Sequence, residues 1–131
     1  MNREILFRAK CSGVWRYGNY VHLDKKPIHY CYNDEYRDFI VVNGVYGENH
    51  YPITDLKTLG QYTGLKDKNG KQIFEGDIIS HGDPNIKYLT MWRNAGFAAK
   101  QIGASSYIGL TYWASDIEVL GNVTDNPELM K

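Results

Sequence analysis

Glu75-Gly76-Asp77 places two carboxylates around a glycine, an arrangement that can offer oxygen ligands to a hard divalent cation. The same three residues also suit a tight turn: Gly76 can take a backbone conformation closed to other residues, and Asp77 can accept from nearby backbone N–H groups. The turn reading is preferred because the chain passes straight into Ile78-Ile79-Ser80, the start of an apolar strand. Asp116 and Glu118 would share one face of a strand, the spacing of some metal-dependent nucleases. Those enzymes add a lysine two residues beyond the second acid, and here that position is Leu120. Cys11, His22, His29 and Cys31 supply the donor types of a tetrahedral zinc site, but no Cys-x2-Cys or His-x3-His pair fixes their spacing. Reduced thiols and surface histidines are the expectation. A Cys/His nucleophilic pair lacks any local oxyanion loop, and Gly103-Ala104-Ser105-Ser106 lacks the lysine and spacing of a phosphate-binding loop. No catalytic residue, metal or cofactor is assigned.

Trp15-Arg16-Tyr17 and Trp92-Arg93 mix aromatic rings with a guanidinium, the combination that stacks bases and touches phosphates in single-strand binders. It is equally the composition of packed β-sheet, where aromatics cover pleated surfaces well. These five residues form a candidate aromatic and basic contact surface, and the Glu75-Gly76-Asp77 turn a candidate interaction or structural turn.

The elements that must hold these groups read as strands. Ile5, Phe7 and Ala9 alternate with Leu6, Arg8 and Lys10. Val14 to Leu23 reads as two short strands turning at Gly18-Asn19, and Phe39 to Val42 as another ending in an Asn43-Gly44 hairpin signal. Asn69-Gly70 predicts a two-residue type I′ hairpin ahead of Gln72-Ile73-Phe74. Tyr88 to Trp92, the Asn94-Ala95-Gly96 loop and Phe97 to Gln101 predict strand, loop, strand. Tyr107 to Trp113 and Ile117 to Val123 complete the set. Thr54 to Thr58 predicts one helical turn, and Asn126 with Pro127 at the first helical position predicts a short C-terminal helix.

Gly60-Gln61-Tyr62-Thr63-Gly64-Leu65-Lys66-Asp67-Lys68-Asn69-Gly70-Lys71-Gln72-Ile73-Phe74-Glu75-Gly76-Asp77 resembles the YopX family. So do Asn2 to Ala9 at the start, Ile117 to Val123 near the end, and the Asp125 to Leu129 segment that follows. The resemblance spans both ends and the middle, while Lys10 to Lys57 and His81 to Lys87 contribute no motif to it. It implies a small bacteriophage or prophage protein, and it brings no established activity to transfer.

One domain is expected from 131 residues, with a β subregion over 1–58 and the signature-bearing subregion over 59–131. The fold class expected is mainly β: a small SH3-like or related β-barrel in the C-terminal half, additional N-terminal strands and the short C-terminal helix. Fifteen basic residues balance fifteen acidic ones, so global charge offers no pull toward phosphates. No apolar run reaches the roughly 18 residues of a membrane span, and Arg3, Glu4, Arg8 and Lys10 interrupt any signal-peptide core. A cytoplasmic setting without a membrane partner is expected. The 11 tyrosines favour adhesive surface, since Tyr buries area at little entropic cost. These features point to a non-enzymatic module that self-associates as a homo-oligomer and binds another protein, with a nucleic-acid-binding barrel as the alternative.

Overall fold

The computed structural model describes residues 5–23, 37–44, 47–93, 96–110 and 116–131. His29, Cys31, the Asn94-Ala95 loop positions and Thr111 to Trp113 of the expected strand lie outside them. The described residues form β1 (Phe7–Cys11), β2 (Val14–His22), β3 (Asp38–Gly44), β4 (Gly47–Pro52), β5 (Asp55–Lys66) and β6 (Gln72–Phe74). They continue through β7 (Asp77–His81), β8 (Asp83–Arg93), β9 (Gly96–Gln101), β10 (Tyr107–Gly109) and β11 (Ile117–Asn122), then a single 3-10 turn, Pro127–Met130. Every pairing is antiparallel. The chain divides into two compact units, Met1–Gln61 and Tyr62–Lys131, with β5 running from one into the other.

In the first unit the strand order is β4-β3-β2-β1-β5. Alternation along β1 sends Ala9 and Cys11 into a core with Ile40 and Ile53, closed by Phe7, Tyr20, Val42, Tyr51 and Leu59. The β1–β2 connection is a two-residue turn with positive φ at both Ser12 (53°) and Gly13 (79°), between the paired Cys11 and Val14. That is the type I′ geometry, which matches the right-handed twist of the flanking strands.

Gly18-Asn19 is no turn: β2 is one continuous strand. Its pairing passes at this point from β1, over Val14 to Gly18, to β3, over Asn19 to His22. A Cβ at Gly18 would collide with the carbonyl oxygen of Val41, so glycine is required by close backbone approach. The β3–β4 hairpin exists, but Asn43 and Gly44 are paired strand residues opposite Glu48 and Gly47. The expected helical turn at Thr54 to Thr58 is instead a bulge in β5, where pairing with β1 jumps from Asp55 to Gly60. Thr58 holds it: its hydroxyl donates to the Asp55 carbonyl at 2.6 Å and accepts from Lys10 N–H at 2.8 Å, satisfying backbone groups that a helix would have paired otherwise.

In the second unit β6 pairs with the end of β5, and a separate sheet has the order β10-β9-β8-β7-β11. Ile73, Ile79, Ala99, Leu110 and Ile117 form the core, flanked by Leu65, Tyr88, Phe97, Ile108 and Val119. Among the described residues this sheet is open, with β10 and β11 as its edges, so the SH3-like barrel is corrected to two antiparallel sheets. Closure needs the first and last strands of a sheet to pair, and among the described residues β10 pairs only with β9 and β11 only with β7.

The hairpin at Asn69-Gly70 is present with a different turn. Gly70 N–H donates to the Asp67 carbonyl at 3.0 Å and only Gly70 has positive φ (80°), the pattern of a type I turn followed by a left-handed glycine. The C-terminal helix is corrected to the one 3-10 turn, because the Asn126 side chain makes no cap bond and accepts instead from Asn122 N–H at 3.2 Å.

Gly18→Ala is expected to lower unfolding free energy by about 1–3 kcal/mol through forced displacement of β3. Gly109→Ala, where an added Cβ meets nothing within 4 Å, should change it by less than about 0.5 kcal/mol. Urea unfolding of both variants separates a close-approach glycine from a permissive one.

Candidate functional site

Glu75 and Gly76 form the turn between β6 and β7, with Gly76 at φ 88°. Gly76 N–H donates to the Thr90 carbonyl and its own carbonyl accepts from Val123 N–H, both at 2.9 Å, so this turn is stitched to two other segments of its unit. Asp77 is 1% exposed, and its Oδ2 accepts from Phe74 N–H at 2.8 Å. The paired acids therefore do not present themselves together: one carboxylate is buried against backbone.

A second acid, overlooked in the sequence, is held by backbone donors from two segments. Asp67 is buried, its Oδ1 accepts from Asn69 and Lys71 N–H at 2.9 Å each, and its Oδ2 accepts from Val119 N–H at 3.0 Å. Burial by itself would raise its pKa. The backbone donors of Val119, Lys71 and Asn69, helped by the Lys71 charge, outweigh that and hold the carboxyl below its ordinary value. The only sequence signal was Asp at the start of a turn, which is common and unspecific.

Asp116 and Glu118 are separated by their partners: Asp116 lies 3.8 Å from His81 Nε2, and Glu118 lies 3.5 Å from Lys68 Nζ. Cys11 is buried, its thiol facing the carbonyls of Tyr51 and Ala9 at 3.7 and 3.9 Å. Burial raises its pKa, against a smaller opposing pull from Arg16. His22 faces Asp38 across the β2–β3 ladder, Nδ1 to Oδ1 at 2.7 Å. The same oxygen accepts from Tyr20 O–H at 2.6 Å. Among the described residues no three His, Cys, Asp or Glu side chains gather as a metal site.

The Tyr20–Asp38–His22 cluster has no spacing signature, because β-pairing brings the residues together from separate strands. The hydrogen bond to Asp38, then burial and the Asp38 charge, push the Tyr20 phenol up to about 12. Burial would raise Asp38, but the bonds from Tyr20 and His22 and the His22 charge bring it below its usual value.

The aromatic and basic residues divide by strand parity. In the first unit Trp15 and Tyr17 pair with Lys10 and Arg8 and so share a face with them, while Arg16 pairs with Ala9 on the other side. Arg8 and Lys10 sit over the Trp15 ring at 4.7 and 4.9 Å from its centroid, and Arg16 stands over Tyr51 at 4.2 Å. In the second unit Trp92 meets Phe97 edge-on at 4.8 Å, whereas Arg93 lies over Tyr107 at 3.7 Å. Neighbouring residues in each run thus look to opposite faces of a strand.

Pairing places Leu89 and Met91 of β8 on one face with Lys100 and Ala98 of β9. A groove of 270 Å³ opens there, lined also by Gln101, Ile102, Gly103 and Met130. The sequence signal for it is residue type alone: alternation leaves Leu89 and Met91 on one side of β8 and Tyr88, Thr90 and Trp92 on the other, so neither side is wholly polar.

The family model described as YopX protein matches residues 7–131. The chain belongs to the YopX family. The crystal structure of protein EF1440 from Enterococcus faecalis is similar to this YopX-family chain, at 22% identity and a TM-score of 0.54, covering 99% of this chain and 100% of that one. This likeness speaks for a shared fold. No curated protein matches the chain.

Two titration outcomes follow. Asp67 has a depressed pKa when folded, so its contribution is complete above the ordinary carboxylate range and is lost as pH falls through the folded value. Asp67→Asn should cost roughly 1.5–3 kcal/mol at neutral pH and lose less further stability than wild type on acidification, as read from urea midpoints between neutral and acid pH. Tyr20 has a raised pKa, so its contribution is complete below the ordinary phenol value and is lost as pH climbs toward about 12. Tyr20→Phe should flatten that alkaline loss in the same assay.

Proposed function

We propose that this YopX-family chain is a phage or prophage accessory protein without catalysis of its own, a self-associating module that binds another protein. The observation carrying the protein-binding half is the groove on β8 and β9, whose Leu89, Met91, Ile102 and Met130 give an adaptable apolar lining. Exposed apolar residues elsewhere add adhesive area, among them Trp92 and Tyr107 in the second unit and Val14, Tyr17 and Leu56 in the first. Asp67 and Asp77, two buried acids, accept from backbone donors, which is structural work.

Self-association is supported by β4, Gly-Glu-Asn-His-Tyr-Pro, which among the described residues ends the order of its sheet and has Glu48 as its one Asp, Glu, Lys or Arg. An edge with so little charge can accept a strand from a second copy. Nucleic-acid binding is the second reading, favoured by the face on which Lys10 stands over Trp15 beside the exposed Tyr17.

Light scattering after size exclusion should give a mass that rises above the 15.1 kDa chain across micromolar concentrations. A strictly monomeric protein would remove the self-association half. Oligonucleotide binding that is tight and falls steeply between low and high salt would favour the second reading over the first.

A further inference from the structure

We infer that the groove on β8 and β9 receives an extended acidic peptide of another protein, in which two apolar side chains are flanked by carboxylates. This rests on the protein-binding reading and names its partner class. Strand parity puts Lys87, Leu89, Met91 and Arg93 on one face of β8, in the order cation, apolar, apolar, cation. Lys100 of β9 stands directly opposite Leu89 and adds a third cation beside the apolar pair.

On that face β8 from Lys87 to Arg93, with β9 and β10, includes no acid among the described residues: Ala98 and Gly96 complete β9, and Tyr107 and Gly109 complete β10, while Asp83 lies beyond a register shift and pairs with His81, on the other side from Ser80 and Lys87. Glu118 falls on the same side only at the far edge strand, where it pairs with Lys68 at 3.5 Å. Glu128, in the turn that brings Met130 to the groove, is met by Asn126 Nδ2 at 3.4 Å. The strand floor thus has an apolar pair, Leu89 and Met91, with Lys87 and Arg93 beyond it on β8 and Lys100 beside it on β9.

Size and spacing select the occupant. A groove of 270 Å³ lies below the roughly 300–1,000 Å³ of small-molecule sites, and suits apolar side-chain anchors better than a cofactor. Six residue steps separate Lys87 from Arg93, about 20 Å of extended chain, so a peptide strand lying along β8 would set its acids at positions one and seven and its apolar anchors at three and five. Arg93 is held by stacking on Tyr107, at 3.7 Å from the ring centroid. A guanidinium fixed through its face is oriented to donate in its plane to a carboxylate.

The test is fluorescence anisotropy with the full chain and three labelled seven-residue probes. In the first, glutamate, leucine, leucine and glutamate alternate with serine. In the second, lysine replaces glutamate. In the third, serine replaces leucine. The first probe should bind saturably and at least about tenfold more tightly than either of the others. Met91→Asp should remove that binding, and the double variant Lys87→Glu with Arg93→Glu should reverse the preference toward the lysine probe. Equal affinity for the glutamate and lysine probes, or no saturation at millimolar protein, overturns the inference. Failure of Met91→Asp to fold would leave the charge reversal, made on the flanking cations, to decide. If the first probe fails while light scattering still shows an oligomer, the peptide assignment falls and the module reading stands. If Met91→Asp dissociates that oligomer and no probe binds, a second copy is the occupant and the inference is wrong.

Discussion

The Asp67 carboxylate ties a hairpin loop to a distant strand, and the second unit is organised around that tie. Two of its bonds close the turn after β5 on itself, and the third reaches Val119, 52 residues along the chain. The backbone reinforces the junction, since Lys68 N–H donates to the Ile117 carbonyl at 2.9 Å. A buried carboxylate is tolerated only where donors replace lost water, and here three backbone N–H groups do so. With the hairpin fixed against β11, Ile73 and Ile117 are brought into one core with Ile79 and Ala99.

The signature segment, Gly60 to Asp77, thereby acquires a physical meaning. Its acids act on backbone: Asp67 at one turn and Asp77 at the next, each accepting N–H groups within a few residues of itself. The glycine between Glu75 and Asp77 lets the chain reverse while both its N–H and its carbonyl bond other segments. Such a segment makes a rigid frame, and a frame is what an exposed sheet face needs to hold apolar and charged side chains at fixed spacing. The face of β8 and β9 is then a consequence of the frame, with its opposite side used up by the core.

Much of the first unit depends on a different device, the change of partner along β2. The absence of a side chain at Gly18 lets the Val41 carbonyl come close, and from that point β2 pairs with β3 and no longer with β1. The Tyr20, Asp38 and His22 cluster lies just beyond, its geometry set by the new ladder.

Period-2 alternation was enough to announce a mainly β chain and most strand positions, because alternation reports which side of a pleat meets a core, and that is local information. The glycines were also legible as special positions. What each was special for was not: Gly18 marks a close approach inside a strand, and the type I′ turn falls at Ser12-Gly13 in place of Asn69-Gly70. Those outcomes depend on which strands lie beside each other, and a residue cannot encode its neighbour across a sheet in its own vicinity. The open sheet in place of a barrel, the reach of Asp67 to Val119 and the meeting of Lys100 with Leu89 are pairings of this kind. Sequence therefore determined the strand character of the chain and the inner faces of its clearest strands, while tertiary structure decided partners and where several elements run on or break, because hydrogen-bonded register joins positions that are far apart along the chain.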